Sequence, residues 1–162
     1  MEIERKFIAG NINYSNYPNY LIEQGYIAKN KEFKIRVRKV IKDNDTKYTL
    51  TYKKRISEDV NINSELELEI DEDIYNQLLS KRDGNIIKKN RYLIPFNNLT
   101  AELDIFDDKL KGLKLVEVEF KNREEYNNFK KPIWFLDEVT NDSKFSNSNL
   151  TEINSLKDIL NK

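Results

Sequence analysis

Apolar and polar residues alternate through most of the first 121 residues of the chain, and this alternation restricts the fold more than any other property of the sequence. A period of two puts successive side chains on opposite faces of a β-strand. Turn-forming residues separate the alternating segments, which favours antiparallel hairpins over parallel crossovers. The sequence therefore predicts a mainly β protein with eight strands, at residues 2–9, 20–28, 32–41, 46–56, 63–70, 85–96, 99–106 and 113–120.

Three further segments space their apolar residues as helices do. They are 71–83, which has acidic residues in its first turn, 122–131, which Pro132 ends, and 149–162, which carries an apolar stripe. A chain of 162 residues is long enough for one domain with a substantial core and short for two. We therefore expect a single domain, residues 1–162, of the α+β class in which strands dominate.

The polar face of the predicted strands is almost wholly ionic, whereas the opposite face is aliphatic. The ionic positions are Glu2, Glu4, Lys6, Lys34, Arg36, Arg38, Lys53, Glu65, Glu67, Glu69, Lys89, Arg91, Glu102, Asp104, Glu117 and Glu119. If the helices cover the aliphatic face, an eight-stranded sheet closes with its ionic face inward, around room for side chains or one small ligand. We therefore predict a closed eight-stranded antiparallel β-barrel with a charged interior and helices packed outside. The alternative is a flattened sheet whose charged face is solvated, with opposite charges paired across strands.

The overall charge and the missing residue types exclude several functions. Lys and Arg number 28 and balance 28 Asp and Glu, so no net field attracts nucleic acid or an acidic membrane. Without His or Cys the chain has no disulfide, no structural zinc site and no imidazole base. The first residues are charged and no apolar run is long enough to span a membrane. We therefore expect a cytoplasmic protein with no membrane partner, for which nucleic acid is a disfavoured partner.

Charges of one sign cluster along single strands. In SELELE at 64–69 and KIRVRK at 34–39, like charges two residues apart share a face and lie only about 6.6 Å from one another. Two such glutamates can bind one Mg²⁺ or Mn²⁺, whereas Arg and Lys match phosphate oxygens. The two sets together predict a cage for a metal-bound polyphosphate, although opposing strands could also neutralise these charges.

A series of short motifs follows along the chain, beginning with Glu2-x-Glu4-x-Lys6. The series continues with EQGYI at 23–27, Arg36-x-Arg38, TYK ending at Lys53, ELELEI at 65–70, KNRYLIP at 89–95, AELDIF at 101–106, GLKLVEVEF at 112–120, Trp134, EVT at 138–140 and KFSNSNL at 144–150. This ordered series resembles the CYTH domain superfamily, the triphosphate tunnel metalloenzymes, whose signature is ExExK. The resemblance spans about residues 1 to 150. It implies an eight-stranded antiparallel barrel with an ionic tunnel.

The resemblance also implies roles for the charged residues. Glu2, Glu4 and Glu119 would hold a catalytic Mg²⁺ or Mn²⁺, and Lys6 would act beside them. Glu117, Glu102 and Asp104 would assist that ion or bind a second one with the attacking water. The cations expected to grip the phosphate chain are Lys6, Arg36, Arg38, Lys53, Lys89, Arg91 and Lys144. Glu65, Glu67 and Glu69 would form a supporting acidic strand, although Glu69 and Lys34 could instead be structural ion-pair partners.

Two positions depart from the family's pattern. The family often has an Arg-Tyr pair where this chain has Lys144 and Phe145, so a bidentate phosphate contact is reduced to a single ammonium. Leu136 replaces a Gly that is common after the Trp, which leaves open how closely that loop approaches the tunnel mouth.

The reaction expected from the resemblance is hydrolysis of a terminal phosphoanhydride bond, first of inorganic tripolyphosphate, by metal-bound water. No recognisable base-binding aromatic set accompanies the ionic residues, but a base could stack on Tyr26, Tyr48, Tyr52 or Tyr92. Nucleoside triphosphates, thiamine triphosphate and cyclisation of ATP therefore stay open. So do a noncatalytic binder of polyphosphate or triphosphorylated RNA ends, and a purely structural barrel. The sequence does not decide between a monomer and a dimer.

Overall fold

The computed structural model describes residues 2–57 and 61–160. Within those residues the chain forms nine strands: β1 (Glu2–Ala9), β2 (Asn19–Lys29), β3 (Phe33–Lys42), β4 (Asp45–Ser57), β5 (Asn61–Ile70), β6 (Ile87–Phe96), β7 (Leu99–Phe106), β8 (Lys114–Phe120) and β9 (Phe135–Glu138). All eight strands predicted from the alternation are present, with ends shifted by at most two residues.

Strands β1 to β8 are antiparallel and close into one barrel. Their order around it is β5-β4-β3-β2-β6-β7-β8-β1, and residues 2–4 of β1 pair back with β5. The short strand β9 continues on the same edge of β1, where it pairs with Phe7 and Ala9. The predicted fold class, a closed eight-stranded antiparallel barrel, is therefore confirmed. The alternation does not predict the ninth strand, because its residues, FLDE, are two apolar side chains followed by two acidic ones.

The described helices are short: α1 (Glu72–Leu79), α2 (Arg123–Asn128), α3 (Asn147–Leu150) and α4 (Lys157–Leu160). The Asp71 carboxylate caps α1 by accepting a hydrogen bond from the amide of Ile74. Tyr75 of α1 packs against Tyr48 on the outside of the barrel, with ring centroids 5.0 Å apart. Both α1 and α2 lie inside the segments predicted to be helical. None of the helices among residues 2–57 and 61–160 is long and apolar enough to cross a membrane.

The prediction of one helix over 149–162 is wrong. The helix α3 ends at Leu150, and turns and bends separate it from α4. The carbonyl of Thr151 accepts a hydrogen bond from the amide of Asn85 at 2.8 Å, whereas a continuous helix would use that carbonyl for the amide four residues later. The C-terminal segment therefore packs against the end of the barrel as turns and two short helices, not as one continuous helix. Residues 161 and 162 lie outside the described part of the chain.

An apolar cluster on the outer wall supports the half of the barrel that contains β1 and β6–β8. Phe7, Leu103, Val116 and Val118 are almost completely buried there against Phe135. The helices do not cover the whole aliphatic face, however. Leu66 and Leu68 on β5 are 69% and 60% exposed, so the expectation of a complete helical cover is wrong for this strand.

A second apolar cluster, which we call the floor, closes one end of the barrel. On β1, β6, β7 and β8, the inward-facing position next to the last ionic one is apolar. These apolar side chains are Ile8, Ile87, Phe106 and Leu115. Phe145, Leu150 and Ile159 of the C-terminal segment pack against these side chains. The floor thus separates the ionic interior of the barrel from solvent at this end.

Candidate active site

A cavity of about 680 Å³ occupies the interior of the barrel. Glu4 on β1, Arg36 on β3 and Glu119 on β8 all line it, so acids and cations from separate parts of the wall meet in one space. Its volume lies in the range typical of pockets that hold small ligands. The charged interior that the alternation predicts is therefore present.

Three cations on β3, Lys34, Arg36 and Arg38, line this cavity and form what we call the β3 row. Within the described residues none of them is in an ion pair. The Nε atom of Arg36 is buried and has no hydrogen-bond partner there. Burial and the neighbouring cations lower the pKa of Lys34 to about 8 and that of Arg38 to about 9. The β3 row is thus a set of half-buried positive charges that have no ion pair with another described residue.

The register of the barrel explains why the β3 row is not compensated. Opposite Arg36 and Arg38, the flanking strands place the neutral side chains of Tyr26, Gln24, Thr51 and Thr49. The acids of β5, Glu65, Glu67 and Glu69, lie beyond β4, two strands or about 9.6 Å away. Within the described residues no ion pair joins these acids to the row, so the charges of the row are available to a bound anion.

Acidic side chains from β1, β7 and β8 line another part of the cavity: Glu2, Glu4, Glu102, Glu117 and Glu119. Burial, together with the charge of Glu117, raises the pKa of Glu4 to about 8. Burial also raises the pKa values of Glu102 and Glu119, and neighbouring carboxylates add to the shift. Carboxylates that repel one another in this way are stabilised by a cation.

These carboxylates suit a hard divalent cation in chemistry, because all their donor atoms are oxygens. Within the part of the chain that the structure describes, no three acidic groups converge into a ready-made metal cluster. Mg²⁺ commonly uses one or two protein carboxylates and completes its ligands with water and substrate phosphate oxygens. The donor set therefore fits a metal that binds together with a phosphorylated ligand.

Lys53 and Lys6, which line the cavity, already have carboxylate partners. The Nζ atom of Lys53 lies 2.7 Å from Oε1 of Glu2, and Nζ of Lys6 lies 3.4 Å from Oε1 of Glu117. Burial opposes ionisation of Glu117, but the charges of Lys6 and Arg91 hold its pKa well below the usual range. The Lys6 ammonium also donates to the carbonyl of Phe145 at 3.1 Å, which ties the cavity to the C-terminal segment.

Arg91 belongs to a buried ionic network beside the cavity. Its guanidinium donates to both carboxylate oxygens of Asp104 at 2.7 and 2.8 Å and to Glu102 at 3.0 Å. Lys89 donates to Asp104 at 2.7 Å and to Asn147 at 3.2 Å. The side chains of Lys89 and Asp104 are 0% and 1% exposed, and neither residue lines the cavity, whereas Arg91 does. Asp104 thus has both oxygens engaged by cations.

The remaining residues proposed from the sequence lie at differing distances from the cavity. Glu65 and Glu67 line it, whereas Glu69 does not. Lys144 does not line it either, and its ammonium lies 3.7 Å from Asp142. Leu136 lies against Gly10, outside the cavity lining, so the departure at this position does not reach the charged interior.

Several residues of the site were not singled out as candidates from the sequence. The sequence predicts Lys34 only as a charged position and possible ion-pair partner, and it assigns no role to Thr51 or Gln24. Gln24 is completely buried, and its Oε1 accepts a hydrogen bond from Nε of Arg38 at 2.8 Å. Continuing the alternation through EQGYI would have placed Gln24 on the same face as Tyr26, which lines the cavity.

Comparison with known proteins places this barrel in a family. No protein-family model matches the chain. The chain is 36% identical over 154 residues to an inorganic triphosphatase of Acetivibrio thermocellus, with 93% of each protein covered. It is 33% identical over 151 residues to an inorganic triphosphatase of Nitrosomonas europaea, with 92% of this chain and 95% of the relative covered.

A solved structure has the same fold over nearly its whole length. The crystal structure of the inorganic triphosphatase NE1496 matches with a TM-score of 0.66 and 30% identity, over 93% of this chain and 94% of that one. The family predicted from the ordered motifs is thereby confirmed. The chain belongs to the CYTH superfamily and is a relative of its inorganic triphosphatases.

Proposed function

We propose that this chain is a metal-dependent triphosphatase that hydrolyses inorganic tripolyphosphate to pyrophosphate and phosphate. One observation carries the proposal: a row of uncompensated cations and a group of mutually repelling carboxylates face the same cavity. A phosphate chain supplies an anion to the first group, and a divalent cation relieves the repulsion that raises the pKa values of Glu4 and Glu119 in the second. The names of the relatives support the same activity.

The β3 row is proposed as the main phosphate-binding surface. Arg36 and Arg38 offer guanidinium groups that match phosphate oxygens in pairs, and Lys34 adds a point charge. The other phosphate-binding cations in the proposal are Lys6, Lys53 and Arg91, all of which line the cavity. Lys89 and Lys144 do not line it, so their proposed effects on the phosphate chain are weaker and indirect.

Glu2, Glu4 and Glu119 are proposed as ligands of a Mg²⁺ or Mn²⁺ ion, with Glu102 and Glu117 in supporting positions around the same cavity. When bound, such an ion neutralises phosphoryl oxygens and lowers the pKa of water, which supplies a nucleophile without an imidazole base. Asp104 is proposed to orient Arg91 instead, because both of its oxygens accept hydrogen bonds from cations. The acidic residues Glu65 and Glu67 remain the supporting strand of the proposal, with Glu69 outside the cavity lining.

In the proposed reaction, water adds to the terminal phosphorus while the bond to the bridging oxygen breaks. The bridging oxygen leaves with pyrophosphate, and its negative charge develops next to the cations of the cavity. Fixed charges that do not have to reorganise stabilise such a transition state well. The protein's share of the rate therefore comes from positioning the phosphate chain and from electrostatic stabilisation.

Nucleoside triphosphates are a second candidate substrate class. Aromatic residues do line the cavity, namely Tyr20, Tyr26 and Phe33. Tyr26 is only 4% exposed, and Phe33 packs at 5.9 Å on Tyr52, so little of these two rings is free to stack on a base, and Tyr20 is more open than Tyr26. Inorganic tripolyphosphate is therefore placed first.

A substrate panel tests the proposal. Phosphate release is measured from tripolyphosphate, ATP and thiamine triphosphate with Mg²⁺ and with Mn²⁺, and ATP reactions are analysed for cyclic AMP. Tripolyphosphate is expected to be the best substrate, and turnover is expected to stop when the metal is chelated. Cyclic AMP as the sole product would contradict the proposal.

The variant Glu4→Gln separates an enzyme from a noncatalytic binder. We expect it to abolish metal-dependent turnover, while the matched change Glu124→Gln on the exposed side of α2 leaves turnover unchanged. A wild-type protein that binds tripolyphosphate tightly, hydrolyses nothing and is unaffected by Glu4→Gln would be a binding protein.

A further inference from the structure

Gln24 occupies a position inside the barrel to which the reaction above gives no role. Its side chain is 0% exposed, and its Oε1 accepts a hydrogen bond from Nε of Arg38 at 2.8 Å. The two residues are direct partners in the pairing of β2 with β3. A guanidinium group can only donate, so the acceptor has to be the amide oxygen. This contact fixes the direction in which the guanidinium points.

Arg38 is held differently from Arg91, another arginine that lines the cavity. Arg91 is anchored by the carboxylates of Asp104 and Glu102, whereas Arg38 has no ion pair within the described residues. Burial, with the charges of Arg36 and Arg91, lowers the pKa of Arg38 to about 9, as expected for a positive charge without a compensating partner. A neutral amide is thus the anchor of an uncompensated cation.

Stability alone does not account for a glutamine at this position. Its Nε2 group is buried and finds no hydrogen-bond partner among the described residues. Such an unsatisfied donor costs about 1–3 kcal/mol. A methionine of similar length would remove that cost but would also lose the hydrogen bond from Arg38, which is worth about 1.5–3 kcal/mol, so stability gives no clear preference for glutamine.

We propose that Gln24 is a positioning residue that orients the Arg38 guanidinium for the phosphate chain while leaving its positive charge intact. A carboxylate at position 24 would hold the same guanidinium, but it would also neutralise it and compete with phosphate for its N–H groups. This inference rests on the proposed function, because it assigns Arg38 to the phosphate chain.

Three variants test it: Gln24→Glu, Gln24→Met and, as the matched control, Gln77→Glu at the exposed glutamine of α1. For each, kcat and KM with tripolyphosphate are measured beside the thermal midpoint without ligand. Gln24→Glu is expected to raise KM about tenfold to a hundredfold without lowering the midpoint, since it neutralises one charge-assisted contact. Gln24→Met is expected to raise KM about tenfold with a nearly unchanged midpoint, because the lost hydrogen bond from Arg38 and the removed unsatisfied donor offset each other. Gln77→Glu should leave KM unchanged and lower the midpoint only slightly, because it exchanges the hydrogen bond to Asp73 for a like-charge pair on the surface of α1.

A double-mutant comparison provides a second test, whose outcome does not depend on the stability of one variant. In the background of Arg38→Met, Gln24→Met is expected to leave the Kd for tripolyphosphate unchanged, because its effect passes through Arg38. Equal weakening with and without Arg38, or a wild-type KM for Gln24→Glu, would overturn the inference. Failure of the wild-type protein to hydrolyse tripolyphosphate would instead refute the proposed function, and Kd values from calorimetry would still decide the role of Gln24.

Discussion

Replacing Arg36 or Arg91 by methionine removes a guanidinium from the same cavity, but we expect opposite effects on the unliganded protein. Arg91 makes three carboxylate contacts between 2.7 and 3.0 Å. Removing it leaves Asp104 buried with one cation fewer, which costs about 3–5 kcal/mol. Arg36 has no ion pair among the described residues and lies beside other cations. Its removal should leave the stability unchanged or raise it by about 1 kcal/mol.

Binding of tripolyphosphate should show a different pattern. Loss of Arg36 removes a charge-assisted contact worth about 1.5–3 kcal/mol, so the Kd is expected to rise about tenfold to a hundredfold. Thermal unfolding with a series of tripolyphosphate concentrations reports both quantities, because a ligand at about 100 times its Kd stabilises by about 2.7 kcal/mol. For a chain of this size, Arg91→Met should lower the unliganded midpoint by roughly 10 °C.

Two results would refute this reasoning. If Arg36→Met destabilised the unliganded protein as much as Arg91→Met, Arg36 would have a structural anion partner. If Arg36→Met left the affinity for tripolyphosphate unchanged, the β3 row would not be the phosphate-binding surface.

Further predictions concern the acidic residues and the floor. Asp104→Asn should lower the unfolding free energy of the metal-free protein by about 3 kcal/mol in urea titrations, whereas a metal ligand at this position would mainly change the Mg²⁺ dependence. Because the pKa of Glu4 is raised from 4.5 to about 8, protonated Glu4 stabilises the unliganded fold at low pH, and this contribution is lost as the pH rises between those values. Glu4→Gln should therefore flatten the pH dependence of the thermal midpoint in that window, and an unchanged slope would contradict the assignment. Leu150→Ala should cost about 2–5 kcal/mol, measured by urea unfolding, since Leu150 is completely buried in the floor.

The strands and the charged interior could be predicted from the sequence because both depend on a local pattern. Alternation along SELELE puts Glu65 and Glu67 on one face whatever the tertiary structure. Which charges neutralise one another depends on register, and single strands carry no information about it. The alternation therefore identified Arg36 and Arg91 equally, although only Arg91 has carboxylate partners among the described residues.

The C-terminal segment shows the opposite case, in which tertiary contacts override a local pattern. The stripe of Leu150, Ile153, Leu156 and Ile159 fits a helix, but Asn85 binds the carbonyl of Thr151 and the helix ends there. Gln24 was missed for a related reason. A single neutral glutamine between Glu23 and Gly25 gives no signal until the pairing of β2 with β3 places it against Arg38.

The most direct test of the central claim is a crystal structure with Mg²⁺ and a nonhydrolysable imido analogue of tripolyphosphate. The phosphoryl oxygens are expected to contact Arg36 and Arg38 inside the barrel, with the metal between the phosphate chain and the carboxylates of Glu2, Glu4 and Glu119. An analogue bound outside the barrel, or bound inside it without contact to Arg36 and Arg38, would contradict the account.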